Sequence, residues 1–428
     1  MEGMLEEDIP KRMMLQMNKP LKALLKPYWT SLAKFTRPLR ILFFRQLQSL
    51  PVSSQVIGPP KGFYETTWGW VVQQGSGEHT LQESTYVKIH PSHQICRSEP
   101  KTLDKDVHWK FKQEYQRESP VTFVAVVPNG RIWGNNGTVI TPDDKVLEDV
   151  SVEHGKTIEN HSIFFQWKLP PVYQVDGIVA VLSTAGSGGY HHWMFDVLPR
   201  VDLIRRSGIL INSIDKFIVN KYRFPFQKET LASLGIPATK VIESYRQPHV
   251  KASQVVVPSL PGHPGNMPYW VCEFLRKEFL PDKNHDRFDG TERIYLCRAN
   301  AEHRRIVNNT EVTNFLGRLG FKSVILEEMS IAEQALLLSS AKVILAPHGA
   351  GLSNLVFCSP GTKVIEVFSP KYVNVCFWSL SNQMNLEYYY LIGEGQSPPE
   401  YVDPHQITAD ISVNINSLSN LMKLAGIK

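Results

Sequence analysis

A chain of 428 residues is too long for one ordinary core, so more than one domain is expected. Hydrophobic residues at 42% and charged residues at 20% are the balance of a globular protein with sizeable cores. The net charge of +5 is mild and confined to one end, and no nucleic-acid partner is expected.

The first 60 residues form a basic arm. No Asp or Glu lies between Asp8 and Glu65, while Lys11, Arg12, Lys19, Lys22, Lys26, Lys34, Arg37, Arg40 and Arg45 do. Trp29, Phe35, Leu39 and Phe43 are interleaved with them. Residues 11–50 could therefore lie on an anionic membrane surface or pack on the body. Pro27 and Pro38 interrupt any helix there.

Residues 61–175 read as a strand meander. Val121–Val127 is a strand, Asn129-Gly130 a turn, and Gly134-Asn-Asn-Gly137 a second turn before Thr138. From Asp176 strands and helices alternate, which implies a parallel sheet covered by helices. Ile178–Leu182 is a strand and Ser183–Gly189 a Gly- and Ser-rich loop. His192–Arg206 is a helix with Phe195, Leu198, Val201 and Leu203 facing inward and a kink at Pro199. Pro261–Pro268 is dense in breakers and reads as an interdomain linker.

A second alternation follows, with strands at Arg293–Cys297, Ser323–Leu326, Val343–Leu345 and Val364–Phe368, and a last helix at Ile415–Leu424. The expected fold class is α/β with two Rossmann-like lobes. The expected boundaries are a basic arm 1–60, a lobe 61–262 with a β-rich insertion, a second lobe 263–405 and a C-terminal helix 406–428.

The five cysteines are scattered and odd in number, and no CxxC occurs, which argues against a disulfide framework or a zinc site. Cys297 and Cys358 are expected in cores, and a reducing compartment fits this usage. No apolar run of about 18 residues exists, so no membrane span is expected. Glu2, Glu6, Glu7 and Asp8 precede no apolar h-region, so no secretory signal is expected.

Three clusters could carry chemistry. Tyr190-His191-His192-Trp193-Met-Phe-Asp196 stands where a strand ends and a helix begins, the place where open α/β sheets bind ligands. His192 is suited to general-base work, and Asp196 four residues on could orient it or be the base itself. Pairing of Asp196 with Arg200 is the structural alternative. The second cluster, Arg298 to Asn308, brings Arg298, Arg304 and Arg305, whose guanidinium forks suit phosphate. The third is Lys342-Val-Ile-Leu-Ala-Pro-His348-Gly349-Ala350-Gly351-Leu-Ser-Asn354. Strand, glycine turn and helix start leave N–H groups at a positive helix end, a seat for a diphosphate with His348 as a further donor. Glu366, inside an apolar strand, needs hydrogen bonds there, from ribose hydroxyls or from the turn itself.

No GxGxxG with a ribose-binding acid, no GxSxG and no Walker A lysine is present, which sets aside dinucleotide oxidoreductases, esterases and P-loop enzymes.

The ordered series Tyr190–Arg200, Arg298 with Arg304, Arg305 and Asn308, Glu333-Gln334, Ala346–Asn354 and Val364–Glu366 resembles glycosyltransferase family 61 over roughly residues 120–395. The resemblance implies GT-B architecture and an inverting transferase using a nucleotide sugar, often UDP-linked. Arginines that neutralise the leaving diphosphate would remove the need for a metal, and no cofactor is expected. A pentose or N-acetylhexosamine would pass to a glycan, lipid-linked or protein acceptor. The donor would meet Arg298, Arg304, Arg305, His348, Gly349, Ala350, Gly351, Asn354 and Glu366, and His192 or Asp196 would be the base. The alternatives are a non-catalytic nucleotide-sugar or polysaccharide binding protein and an epimerase of similar build. The expected location is cytoplasmic, with a peripheral place at the inner face of a membrane open to the arm.

Overall fold

The computed structural model describes residues 57–74, 85–281, 292–298 and 301–428. The basic stretch 11–50 lies outside the described residues. The architecture is mixed α/β, built on a ten-stranded and a five-stranded sheet.

The larger sheet is one continuous surface. The meander of the early chain is present, with Arg131–Trp133 and Thr138–Ile140 antiparallel. Asn129 at φ 53 and Gly134 and Gly137 at φ 72 turn it. It does not stand apart from the parallel strands, however. His249–Pro258 pairs antiparallel with Thr122–Pro128 and with Arg131–Trp133, and parallel with Tyr173–Val181. Lys216–Val219 and Val241–Glu243 extend the parallel side. The Val255-Val256-Val257 run suits this central place, where both faces are covered.

The smaller sheet is all parallel, in the order Lys322–Val324, Arg293–Leu296, Val343–Pro347, Lys363–Phe368, Glu387–Ile392. The chain leaves Arg293–Leu296 to one side, then returns to its other side through Val343–Pro347. The strand order therefore reverses between these two, and a crevice opens at their carboxyl ends.

The two sheets share one apolar core. Trp193, Phe195 and Leu198 pack in the same cluster as Leu275, Leu352, Phe357 and Trp378. A segment of the early chain also crosses over. Lys101 bridges Tyr389 at the outer edge of the smaller sheet, and the fully buried Phe111 stacks on Tyr390 and meets Trp378 edge-on.

Among the described residues no helix is long and apolar enough to cross a membrane. All five cysteines are unpaired; Cys358 is buried as expected, but Cys297 is only half-buried and borders the crevice.

Candidate active site

The crevice at the strand reversal is built from two loops. Gly349 follows the Val343–Pro347 strand with extended backbone, and a 3-10 helix then runs Ala350–Phe357. Its first turn leaves the N–H groups of Ala350 and Gly351 without acceptors inside the helix. Arg298, at the end of the neighbouring strand, lays its guanidinium directly on Gly349. An ideal Cβ there would lie 2.0 Å from Arg298 Nη1, so any side chain at this position would displace the guanidinium.

Arg298 Nη2 donates to the His303 carbonyl at 3.0 Å, but its Nε is buried without a partner. No carboxylate pairs with it among the described residues. Burial, and then the nearby Arg304, push its pKa down. The charges of Glu327 and Asp410 act the other way. A buried N–H without an acceptor is costly, so this donor is open to an anion. The open cleft beside it has a cavity volume of about 20 Å³, with Leu296, Val324 and Leu326 as apolar wall and Arg298, Glu327, Gly349 and Gly351 as polar rim.

The other expected donor-site residues fall into different places. His348 is buried; its ring lies among Phe368, Tyr372 and Phe377, and its Nδ1 meets Glu366 Oε1 at 2.5 Å. The second oxygen of Glu366 accepts the Tyr388 hydroxyl. Glu366 is thus a clasp beneath the turn with both oxygens engaged, which decides between the two roles the sequence offered. Arg304, at φ 56, donates from Nε to the His348 carbonyl at 3.0 Å and stacks on Tyr372. It fixes the turn while adding positive potential. Arg305 turns away and pairs with Asp410 at 3.0 Å, with its side chain 54% exposed. Asn354 is fully buried and ties the turn to the other half of the molecule: it accepts from Tyr190 Oη at 2.7 Å and donates to Gln334 at 2.8 Å and to the Gly351 carbonyl at 3.2 Å.

The second part of the site begins at Gly186, whose φ of +80 lets the chain turn under the His192 ring. Tyr190–His192 opens a helix, Trp193–Val197 widens into a π turn, and Pro199–Arg206 continues as α-helix. Pro199 explains the widening. It has no N–H and its ring would strike the carbonyl of Phe195, so the turn before it closes one residue wider, Leu198 N to Trp193 O at 3.1 Å.

His192 Nδ1 and Asp196 Oδ2 lie 2.7 Å apart. This bond raises the His192 pKa. The alternative pairing of Asp196 with Arg200 is not made. Arg200 is fully buried and donates to the carbonyls of Ser183 and Pro258; desolvation lowers its pKa to about 10. His191 contacts Ser353 Oγ through Nδ1 at 3.1 Å, and burial lowers its pKa to about 4. Asp196, His191 and Phe195 border a second, tight crevice with no room for a water molecule, closed by Pro261, His263 and Met267.

The breaker-rich stretch expected as a linker also lines this crevice through Pro261, His263 and Met267. Glu327 and Ser353 were missed. A signal existed for Glu327, since an acid just past a strand sits at the carboxyl edge of a parallel sheet. The arrangement offers a cationic cleft for an anionic leaving group and a carboxylate–imidazole pair able to take a proton from a hydroxyl.

Residues 190–365 match the family model described as Glycosyltransferase 61, the family that the motif series resembles. A stretch of 95 residues is 35% identical to the beta-1,2-xylosyltransferase RCN11 of Oryza sativa subsp. japonica. That stretch is 22% of this chain and 16% of the rice protein's length.

Proposed function

We propose that this chain is an inverting glycosyltransferase of GT-B form that moves a pentose or N-acetylhexosamine from a UDP-linked donor to a hydroxyl of a glycan, lipid-linked or protein acceptor. The family match over residues 190–365 supports the transferase reading, and the likeness to a xylosyltransferase favours a pentose. The single observation that carries it is Arg298, a half-buried cation with an unpaired Nε, pressed against a glycine at the strand reversal.

In this reading the donor diphosphate lies on Arg298 and on the N–H groups of Ala350 and Gly351, with Arg304 behind. The acceptor approaches the part-exposed His192 and Asp196 side chains from solvent. Its hydroxyl gives its proton to the His192–Asp196 pair, and the oxygen attacks the anomeric carbon from the face opposite the nucleotide. The bond from that carbon to the phosphate oxygen breaks, and its electron pair leaves with the diphosphate. One such displacement inverts the anomeric centre. Guanidinium and backbone donors supply the positive charge the leaving group needs, and fixed placement of both partners supplies much of the rate. The stretch 11–50 would bring the enzyme to the inner face of a membrane where lipid-linked acceptors are found.

The test is a thermal-shift titration of the full chain with UDP. UDP is expected to raise Tm, and Arg298→Ala and Gly349→Ala are expected to weaken UDP by at least about tenfold. Removing the unpaired guanidinium should leave the Tm of the free protein unchanged or higher. UDP binding that survives in Arg298→Ala would overturn the assignment.

A further inference from the structure

We infer that Glu327 reads the ribose hydroxyls of the bound nucleotide and so makes the cleft selective for ribonucleotides. This rests on the donor-site reading above. Glu327 borders the same cleft as Arg298, Gly349 and Gly351, and it is the carboxylate on that wall. Its side chain is exposed, and among the described residues no hydrogen bond or ion pair engages it. The cleft thus holds a cation and an anion that make no ion pair with each other, although the Glu327 charge is near enough to favour the charged form of Arg298.

The sheet order sets their spacing. Three neighbouring strands end in sequence across the crevice: Lys322–Val324 with the turn Leu326–Glu328, then Arg293–Leu296 with Arg298, then Val343–Pro347 with Gly349. Strands lie about 4.8 Å apart, so the turn bearing Glu327 stands roughly 10 Å from the glycine turn. That is the reach from a diphosphate to the diol of its ribose. Between the two, Leu296, Val324 and Leu326 offer the apolar surface a pyrimidine ring needs. A diol donates two hydrogen bonds and a carboxylate accepts both. Glu366, the other acid offered for this role by the sequence, is buried with both oxygens taken.

The alternative for an exposed acid here is a purely electrostatic one, and it predicts the opposite sign. A carboxylate beside a diphosphate repels it, so its removal would tighten every anion. A carboxylate that holds the ribose weakens UDP when removed while pyrophosphate, which has no ribose, binds as before or more tightly.

Calorimetric titration of the full chain with UDP, 2′-deoxy-UDP and inorganic pyrophosphate separates these outcomes. The wild type should prefer UDP over 2′-deoxy-UDP by about tenfold, the worth of one charged hydrogen bond. Glu327→Ala should abolish that preference by weakening UDP, with pyrophosphate unchanged or tighter, and Glu327→Gln should fall between. Glu328→Ala, in the same turn but off the cleft wall, should change nothing. A Glu327→Ala variant that keeps the preference, or in which UDP and pyrophosphate tighten together, overturns the inference alone. Failure of the wild type to bind any of the three ligands removes the donor site and this inference with it.

Discussion

His191 and His192 are adjacent, yet burial and hydrogen bonding drive them in opposite directions. Desolvation lowers His191 to about 4, so it stays neutral at any working pH. The bond to Asp196 raises His192. A raised pKa means that this bond stabilises the fold below the free imidazole's pKa, and that the contribution fades as pH rises through the raised value. The same bond sets the pH at which the pair becomes able to accept a proton. Asp196→Asn removes the cause of the rise, so the acid limb of the kcat profile should move to lower pH, with kcat down about a hundredfold. An unmoved limb would exclude the pair from proton transfer, and a limb that vanishes would give the role to Asp196 alone. The sequence placed both residues four apart on one helix. It could not show that Arg200 would be consumed by the carbonyls of Ser183 and Pro258, because those partners come from distant strands.

At the scale of elements, the site depends on how the Tyr190–His192 turn sits on the Ala350–Phe357 helix. Tyr190 Oη reaches Asn354 at 2.7 Å, and Asn354 in turn holds the glycine turn through the Gly351 carbonyl. Tyr190→Phe leaves the buried Asn354 oxygen without its donor, which costs about 1–3 kcal/mol. The expected outcome is a lower urea midpoint together with a loss in kcat, since one contact positions both clefts; a variant that loses stability with full activity would show that the contact is merely structural. Much at this scale is legible in the sequence. Apolar runs give the strands at 293–296, 343–347 and 363–368, and the periodicity at Ile415–Leu424 gives its helix. The π turn is less so, because Pro199 announces a fault in the helix without saying which carbonyl takes up the spare N–H. The wall formed by Pro261, His263 and Met267 is not legible at all, since breakers mark a loop but not what it covers.

At the scale of the molecule, pairing across long sequence distance makes the two halves one structure. Phe111 comes from the early chain and is buried against residues of the smaller sheet and its covering helix, Tyr390, Trp378 and Phe368. Glu229, on a helix of the larger sheet, caps the Ile331–Ser340 helix through the Ile331 N–H at 2.9 Å. Phe111→Ala should therefore cost about 3–5 kcal/mol. Calorimetry should show one transition for the described body, lowered as a whole in the variant; two separated peaks would mean that the halves unfold independently. No periodicity in residues 97–115 advertises this crossing, which rests on a bridge from Lys101 to Tyr389, on Phe111, and on side-chain contacts such as Arg97 to Ser379 and Lys110 to the Val373 carbonyl.

The unpaired Nε of Arg298 has a consequence for the life of the protein in a cell. A fold that carries an unsatisfied buried donor is at its least stable when empty, and an anion that binds only the folded form stabilises it by mass action. Quality-control proteases sample the opened state, so small differences in stability change steady-state abundance several-fold. If that anion is the proposed nucleotide-sugar donor, its supply would govern how much of this protein persists, and its scarcity would thin the protein itself.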